Sequence, residues 1–76
     1  MPKYYVSIPN LDQVILAKDP LDACVKISVI NSIMTVGLYW KVSEIGFSDH
    51  KDDIYISDVE IIREINKRNK IGRAHV

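Results

Sequence analysis

Hydrophobic and polar positions alternate with period two from Lys3 to Ile8. Tyr4, Val6 and Ile8 fall on one side and Lys3, Tyr5 and Ser7 on the other, the pattern of a half-buried strand. Pro9-Asn10-Leu11-Asp12 interrupts the run with turn-favouring residues. A second β-rich run, Gln13-Val14-Ile15-Leu16-Ala17, follows at once. Strands this close in sequence pair antiparallel, because a parallel return needs about a dozen or more connecting residues. The pattern predicts a β-hairpin.

Asp19-Pro20-Leu21-Asp22 then reads as a helix start. Asp19 can cap free N–H groups, Pro20 occupies the first helical position, and Asp22 favours the positive end of the dipole. Ala23, Cys24, Ile27, Ile30 and Met34 recur at helical spacing and form one apolar face. Val25, Val29 and Ile33 form a second apolar stripe, relieved by Asp22, Lys26 and Ser32. A helix apolar on two sides must be covered twice. The competing reading has the helix fray near Val29, with its β-branched tail extended. Gly37 is expected to end the helix or to form a turn.

Leu38, Trp40 and Val42 alternate with Tyr39, Lys41 and Ser43 and predict a third strand. The alternation slips at Glu44-Ile45-Gly46-Phe47, where a glycine inside a strand pattern marks a bulge or bend. Residues 48–53 form a polar loop, and Ile54-Tyr55-Ile56 is a short fourth strand. Ser57-Asp58-Val59-Glu60 fits a capping box, with Ser57 as cap and Glu60 reaching back. In the helix that follows, Ile61, Ile62, Ile65 and Asn69 share one face, with Val59 at its edge. Glu64 precedes Lys67 and Arg68 by three and four residues, a favourable order for ion pairs. Beyond Lys70 no pattern persists, so residues 71–76 read as a frayed tail to one domain of residues 1–70.

The element order is therefore β-β-α-β-β-α, and the expected fold class is α+β. Two-layer packing, with a largely antiparallel four-stranded sheet, is the economical way to bury both helices in so short a chain. The expected core sets Val6, Ile8, Trp40, Val42, Ile54 and Ile56 against Ile27, Ile30 and the Ile62/Ile65 face.

Composition sharpens this picture in one respect. Isoleucine and valine together number 20, against 4 leucines and 3 alanines. Such β-branched residues sit better on a pleated sheet than in a helix, so the helices must be held by packing. At 76 residues the chain buries only about 60% of the surface exposed by its unfolded form. The single cysteine excludes an internal disulfide framework and suits a reducing compartment. Met1-Pro2-Lys3-Tyr4-Tyr5 has no apolar signal core. The weakly charged stretch from Ile27 to Trp40 falls short of the ~20 residues needed to span a bilayer. The expectation is a cytoplasmic protein with no membrane partner. Abundant Ile, Lys, Asn and Tyr fit an AT-rich, compact genome such as that of a phage.

Candidate chemistry is sparse. Asp49, His50, Asp52 and Asp53 gather in one loop. Against a calcium-loop pattern starting at Asp49, Lys51 would take position three and Ile54 the position that demands glycine, which defeats the motif. One histidine with no second His or Cys nearby is a weak zinc set. Cys24 sits among Ala23, Ile27 and Ile30 and reads as a buried small hydrophobe. The phosphate-binding glycine motifs and the nucleophile-elbow motif are missing from the sequence. The reading is a non-enzymatic chain with no catalytic, cofactor-binding or metal-binding residues.

Charge and tyrosines carry the remaining signal. Ten basic residues balance ten acidic ones, so net charge points to no nucleic acid or anionic membrane. Locally, residues 43–60 hold six acids and one lysine, whereas the C-terminal segment holds Arg63, Lys67, Arg68, Lys70 and Arg73 against Glu64. Tyr5, Tyr39 and Tyr55 take the outward register of three strands. Such rings serve a protein interface, giving large area with a polar tip. The preferred expectation is a protein-interaction module that self-associates or docks onto a larger assembly through Val25, Val29, Ile33, Tyr5, Tyr39 and Tyr55. The alternative is a weak, sequence-indifferent module for single-stranded nucleic acid, stacking bases on the tyrosines and contacting phosphates with the five cations.

Overall fold

A computed structural model describes the backbone of residues 1–73 and the side chains of residues 1–69. The order is β1 (Lys3–Ile8), β2 (Leu11–Leu16), α1 (Pro20–Asn31), β3 (Tyr39–Ser43), β4 (Ile54–Ser57) and α2 (Asp58–Arg73). The four strands form one antiparallel sheet in the order β2-β1-β3-β4. Both helices pack on one face of it, with α1 lying over the strands and α2 beside α1 against β4. The fold is the two-layer α+β arrangement that the element order implies.

Alternation decides which side chains enter the core. Tyr4, Val6 and Ile8 of β1, Trp40 and Val42 of β3 and Ile56 of β4 face the helices and are buried. They meet Ala23, Cys24, Val25 and Ile27 of α1 and Ile61 of α2. Three expected core residues are displaced. Ile30 is 64% exposed, Ile54 42% and Ile62 37%. Each belongs to a face read correctly to within one helical position or one strand end, but local periodicity does not encode the angle at which layers cross. On α2 the fully buried residue is Ile61, with Ile65 half-buried one turn on.

The turns also differ from the sequence reading. The hairpin loop is Pro9–Asn10 alone, and Leu11 and Asp12 already pair with Ile8 and Ser7. Pro9 has its φ locked by its ring, while Asn10 takes φ 70, which asparagine tolerates better than most residues. Helix α1 opens as its sequence implies, with Asp22 N donating to Asp19 Oδ1 at 2.7 Å. It stops at Asn31, where Ser32 adopts φ 52 and ψ 45 and donates to the carbonyls of Ser28 and Val29. Ser28 Oγ donates to the Ile33 carbonyl, a local bond that competes with further helix. Met34 and Ile33 therefore lie past the helix, and Gly37 (φ 76) serves a bend before β3. Gly46 is not inside a strand. Ser43 Oγ accepts from Ile45 N (3.1 Å) and Gly46 N (3.4 Å), turning the chain out of the sheet.

At the start of α2, Ser57 Oγ accepts from Val59 N at 3.2 Å. Among the described residues Glu60 makes no returning bond to Ser57, so only half of the capping box forms. The stronger device is Asp58, which is 1% exposed. Its Oδ2 accepts from Leu38 N (2.9 Å) and Thr35 Oγ1 (2.8 Å), and Thr35 Oγ1 in turn accepts from Trp40 Nε1 (2.8 Å). Asp58 N donates to the Leu38 carbonyl at 3.0 Å. The Leu38 N–H and the Thr35 hydroxyl outweigh desolvation and hold the Asp58 carboxyl below the ordinary carboxylate value. Residues 71–73, expected to be frayed, continue α2; residues 74–76 lie outside the described residues.

Ile61→Ala removes a fully buried side chain and is expected to cost about 3 kcal/mol, with Ile62→Ala below about 1 kcal/mol. Urea unfolding of the two variants measures the contrast; equal losses would mean that α2 is rotated from this placement. Asp58 generates a pH expectation. A carboxyl lowered on folding stabilises fully above its unfolded value of 3.8 and loses that contribution as pH falls through the lower folded value. Thermal stability should therefore hold from neutrality down to about pH 5 and fall below about pH 4. Asp58→Asn should lower Tm at pH 7 by roughly 10 °C or more and make the acid limb shallower, since Asp22 remains.

Candidate functional site

The sheet face opposite the helices carries Tyr5, Tyr39 and Tyr55, in the outward register that alternation implies. The structure does not join them into one cluster. Tyr39 and Tyr55 lie on neighbouring strands at diagonal positions, because Tyr55 is opposite Lys41 and Tyr39 opposite Ser57. They are 68% and 60% exposed. Tyr5 sits apart, half-buried beneath Phe47, whose ring meets it edge-on with centroids 5.1 Å apart. Lys3 Nζ approaches the same ring to 5.3 Å. Phe47 was not singled out from sequence, and only the slip in alternation around Gly46 hinted that this segment leaves the sheet.

The loop following β3 folds back over the outer face. Lys41 Nζ donates to the Phe47 carbonyl (2.9 Å) and to Asp49 Oδ1 (2.7 Å). Its bond to Asp49 raises the Lys41 pKa despite some desolvation. Ser7 Oγ donates to Asp12 Oδ1 at 2.6 Å on the same face. The outer face is thus apolar at two corners, Tyr5/Phe47 beside Val14 and Tyr39/Tyr55, with a polar band between them.

The acidic loop is less solvated than its composition implies. The Asp53 side chain is 1% exposed, and its Oδ2 accepts from His50 N at 2.8 Å. That N–H, ahead of the Ser43 hydroxyl and the charges of His50 and Lys41, holds the Asp53 carboxyl low against desolvation. A cavity of about 110 Å³ adjoins it, lined by Tyr4, Ser43, Glu44 and Asp52 among others. Burial, followed by the charges of Glu44 and Asp19, pushes the Tyr4 hydroxyl up. Asp53 Oδ1 is buried and unbonded, as is His50 Nδ1, and the two face each other at 3.6 Å. Asp53 Oδ2 therefore braces the loop from inside, and Asp53 is itself among the residues that line the cavity. Among the described residues no three His, Cys, Asp or Glu side chains gather to hold a metal ion.

The remaining sequence candidates are dispersed. Val25 is buried, Val29 is 62% exposed, and Ile33 lies beyond the helix, half-buried against the core. They do not make a continuous stripe, since α1 ends before Ile33 can join it. Arg63 and Lys67 are exposed on α2. Arg68 is already engaged, with Nε 2.9 Å from Glu64 Oε2 and Nη1 2.9 Å from Asp22 Oδ1. Glu64, ahead of Asp22, raises the Arg68 pKa. Burial pushes the Asp22 carboxyl up, but Lys18 N–H, Arg68 and Lys26 outweigh it and hold it low. The side chains of Lys70 and Arg73 lie outside the described residues. Because α2 packs on the inner face, Arg63 and Lys67 and the tyrosines belong to opposite layers of the molecule.

No family model, no curated protein and no solved structure matches the chain. Among the described residues no helix is long and apolar enough to cross a membrane.

Cys24 is fully buried and its thiol is pushed up to about 12 by desolvation. A buried, protonated thiol is inert. A thiol reagent at pH 8 should react with it only as fast as the protein opens, and immediately in denaturant. Fast labelling of the native protein would contradict this burial.

Proposed function

We propose that the chain is a small protein-interaction module, without catalysis of its own, that joins a second copy or docks onto a larger assembly. The observation that carries this reading is the exposed aromatic corner of the sheet. Tyr39 and Tyr55 stand uncovered on a rigid antiparallel pair, 68% and 60% exposed. Tyrosine on a fixed backbone gives large contact area with little ordering cost, which suits a protein interface. Further apolar side chains reach solvent at the end of α1 and just after it, with Val29 at 62%, Ile30 at 64% and Val36 at 93%. A domain of this size has more apolar surface outside its core than burial within one copy uses.

The nucleic-acid reading is weaker on the same geometry. A base stacked on Tyr39 would lie on the face away from Arg63 and Lys67; of the lysines on its own face, Lys41 is paired with Asp49 at 2.7 Å and Lys3 lies on β1 over the Tyr5 ring. Counterion release needs cations along the path of the strand. Localisation and source follow the sequence expectation of a cytoplasmic, phage-type protein and add nothing to the surface argument.

A photo-crosslinking residue at Tyr39 should give discrete protein adducts that excess unlabelled chain or partner competes away, whereas one at Arg63 should not. In parallel, single-stranded oligonucleotides titrated at two salt concentrations should show no binding. Salt-sensitive binding abolished by Tyr39→Ala would overturn the proposal in favour of the nucleic-acid module.

A further inference from the structure

We propose that the free edge of β2 is the surface on which two copies of the chain join, strand to antiparallel strand, about a twofold axis at Val14. This rests on the interaction-module reading and names the partner for one edge. Ala17 N donates to the Pro2 carbonyl at 3.1 Å, which sets the phase of the β1–β2 ladder. Pro2 opposite Ala17 is a hydrogen-bonded pair, so Leu11, Gln13 and Ile15 also turn their N–H and C=O groups toward β1. Asp12, Val14 and Leu16 turn theirs outward. Among the described residues one of these outward groups has a partner, the Leu16 carbonyl, which accepts from Lys26 Nζ at 3.2 Å.

Sheet edges are ordinarily blunted by proline, β-bulges, charged side chains (lysine above all) or very short strands. Strand β2, Leu11-Asp12-Gln13-Val14-Ile15-Leu16, has no proline, glycine or lysine over its six residues and a single charge, Asp12, near one end. Its outward groups are self-complementary. With Val14 opposite the partner's Val14, Asp12 falls opposite the partner's Leu16, and every outward N–H meets an outward carbonyl. The Leu16 carbonyl has a second lone pair for this while it keeps Lys26.

Charge agrees with that register. Asp12 is the single charged residue of β2. Leu16 is flanked by two cations, Lys3 opposite it on β1 and Lys26 on its carbonyl. The pairing therefore brings each Asp12 toward the partner's Lys3 on the same outer face, once at each end, while Lys26 stays on the helix side with Asp22. Opposite charges so arranged fix register and favour one partner over others.

The helix layer agrees as well. Asn31 Nδ2 donates to Gln13 Oε1 at 2.8 Å, and with the Lys26–Leu16 bond this sets α1 along β2. Ile30 is one turn beyond Lys26 on the same flank and is 64% exposed. The twofold axis beside Gln13 would bring Ile30 toward the partner's Ile30, covering a side chain that the isolated copy leaves in water. The product is an eight-stranded antiparallel sheet with the helices of both copies on one face. Its interface is at the small end of specific ones, below about 1,200 Å², so association in the micromolar range is expected.

Sedimentation of the full chain over a range of concentrations tests this. The wild type should pass from monomer to dimer. Val14→Pro should remain folded by circular dichroism, because the lost N–H faces solvent in the monomer, and should weaken dimerisation about ten- to a hundredfold. Asp12→Lys should weaken it too, more at low salt than at high salt. A wild type that stays monomeric overturns the inference, as does a dimer indifferent to a folded Val14→Pro variant. If Tyr39→Ser abolishes the dimer and Val14→Pro does not, the edge proposal fails while the interaction-module reading stands. A strict monomer that also gives no adduct from Tyr39 would end both.

Discussion

The buried carboxylate of Asp58 ties together the parts of this fold that its sequence keeps apart. It stands where β4 becomes α2, and its hydrogen bonds run backwards to Leu38 and Thr35, at the entry to β3. Through Thr35 it also fixes the indole of Trp40, the largest fully buried side chain. A carboxylate in an apolar interior is tolerated only when its lone pairs are filled, so the segment from Thr35 to Leu38 has little freedom to move. Residues 33–38 have no regular structure of their own. Their path is set by this acceptor more than by any local preference.

Asp22 performs a related task between the helices. It accepts from the backbone of Lys18 and from Arg68, so the start of α1 and the body of α2 are held by one buried group. Helices rich in β-branched residues have modest intrinsic stability. Here α1 carries Val25, Ile27, Val29 and Ile30 and persists because Ala23, Cys24 and Ile27 are packed on the sheet. The same composition explains its early end. Once the chain passes the last core contact, a serine hydroxyl bond and a left-handed residue suffice to stop it.

Two small layers leave much apolar surface outside. The outer sheet face is divided by the Ser7–Asp12 and Lys41–Asp49 bonds into an aromatic corner at Tyr39/Tyr55 and a second corner where Phe47 covers Tyr5. The first stands uncovered, while the second is already occupied by the chain itself. The β2 edge and the Ile30 flank of α1 lie on a third side.

Much of the architecture was legible in the order of residues. Alternation placed Val6, Ile8, Trp40, Val42 and Ile56 inside and the three tyrosines outside. Asp19-Pro20 marked the start of α1, Glu64 announced its bond with Arg68, and Cys24 was read as core. These are local properties, because a strand's two faces and a helix's capping chemistry are determined within a few residues. What only the tertiary structure decided lies across distance. Ile61 is buried while Ile62 is not, and Ile30 and Ile54 reach solvent, because layer geometry selects among adjacent apolar positions. Asp22, Asp53 and Asp58 look like ordinary surface acids, and each is buried where donors remote in sequence or in a folded loop reach its carboxylate. Phe47 covers Tyr5 because Ser43 turns the chain and Lys41 pins it. No periodicity encodes such pairings, since each partner is supplied by another element of the fold.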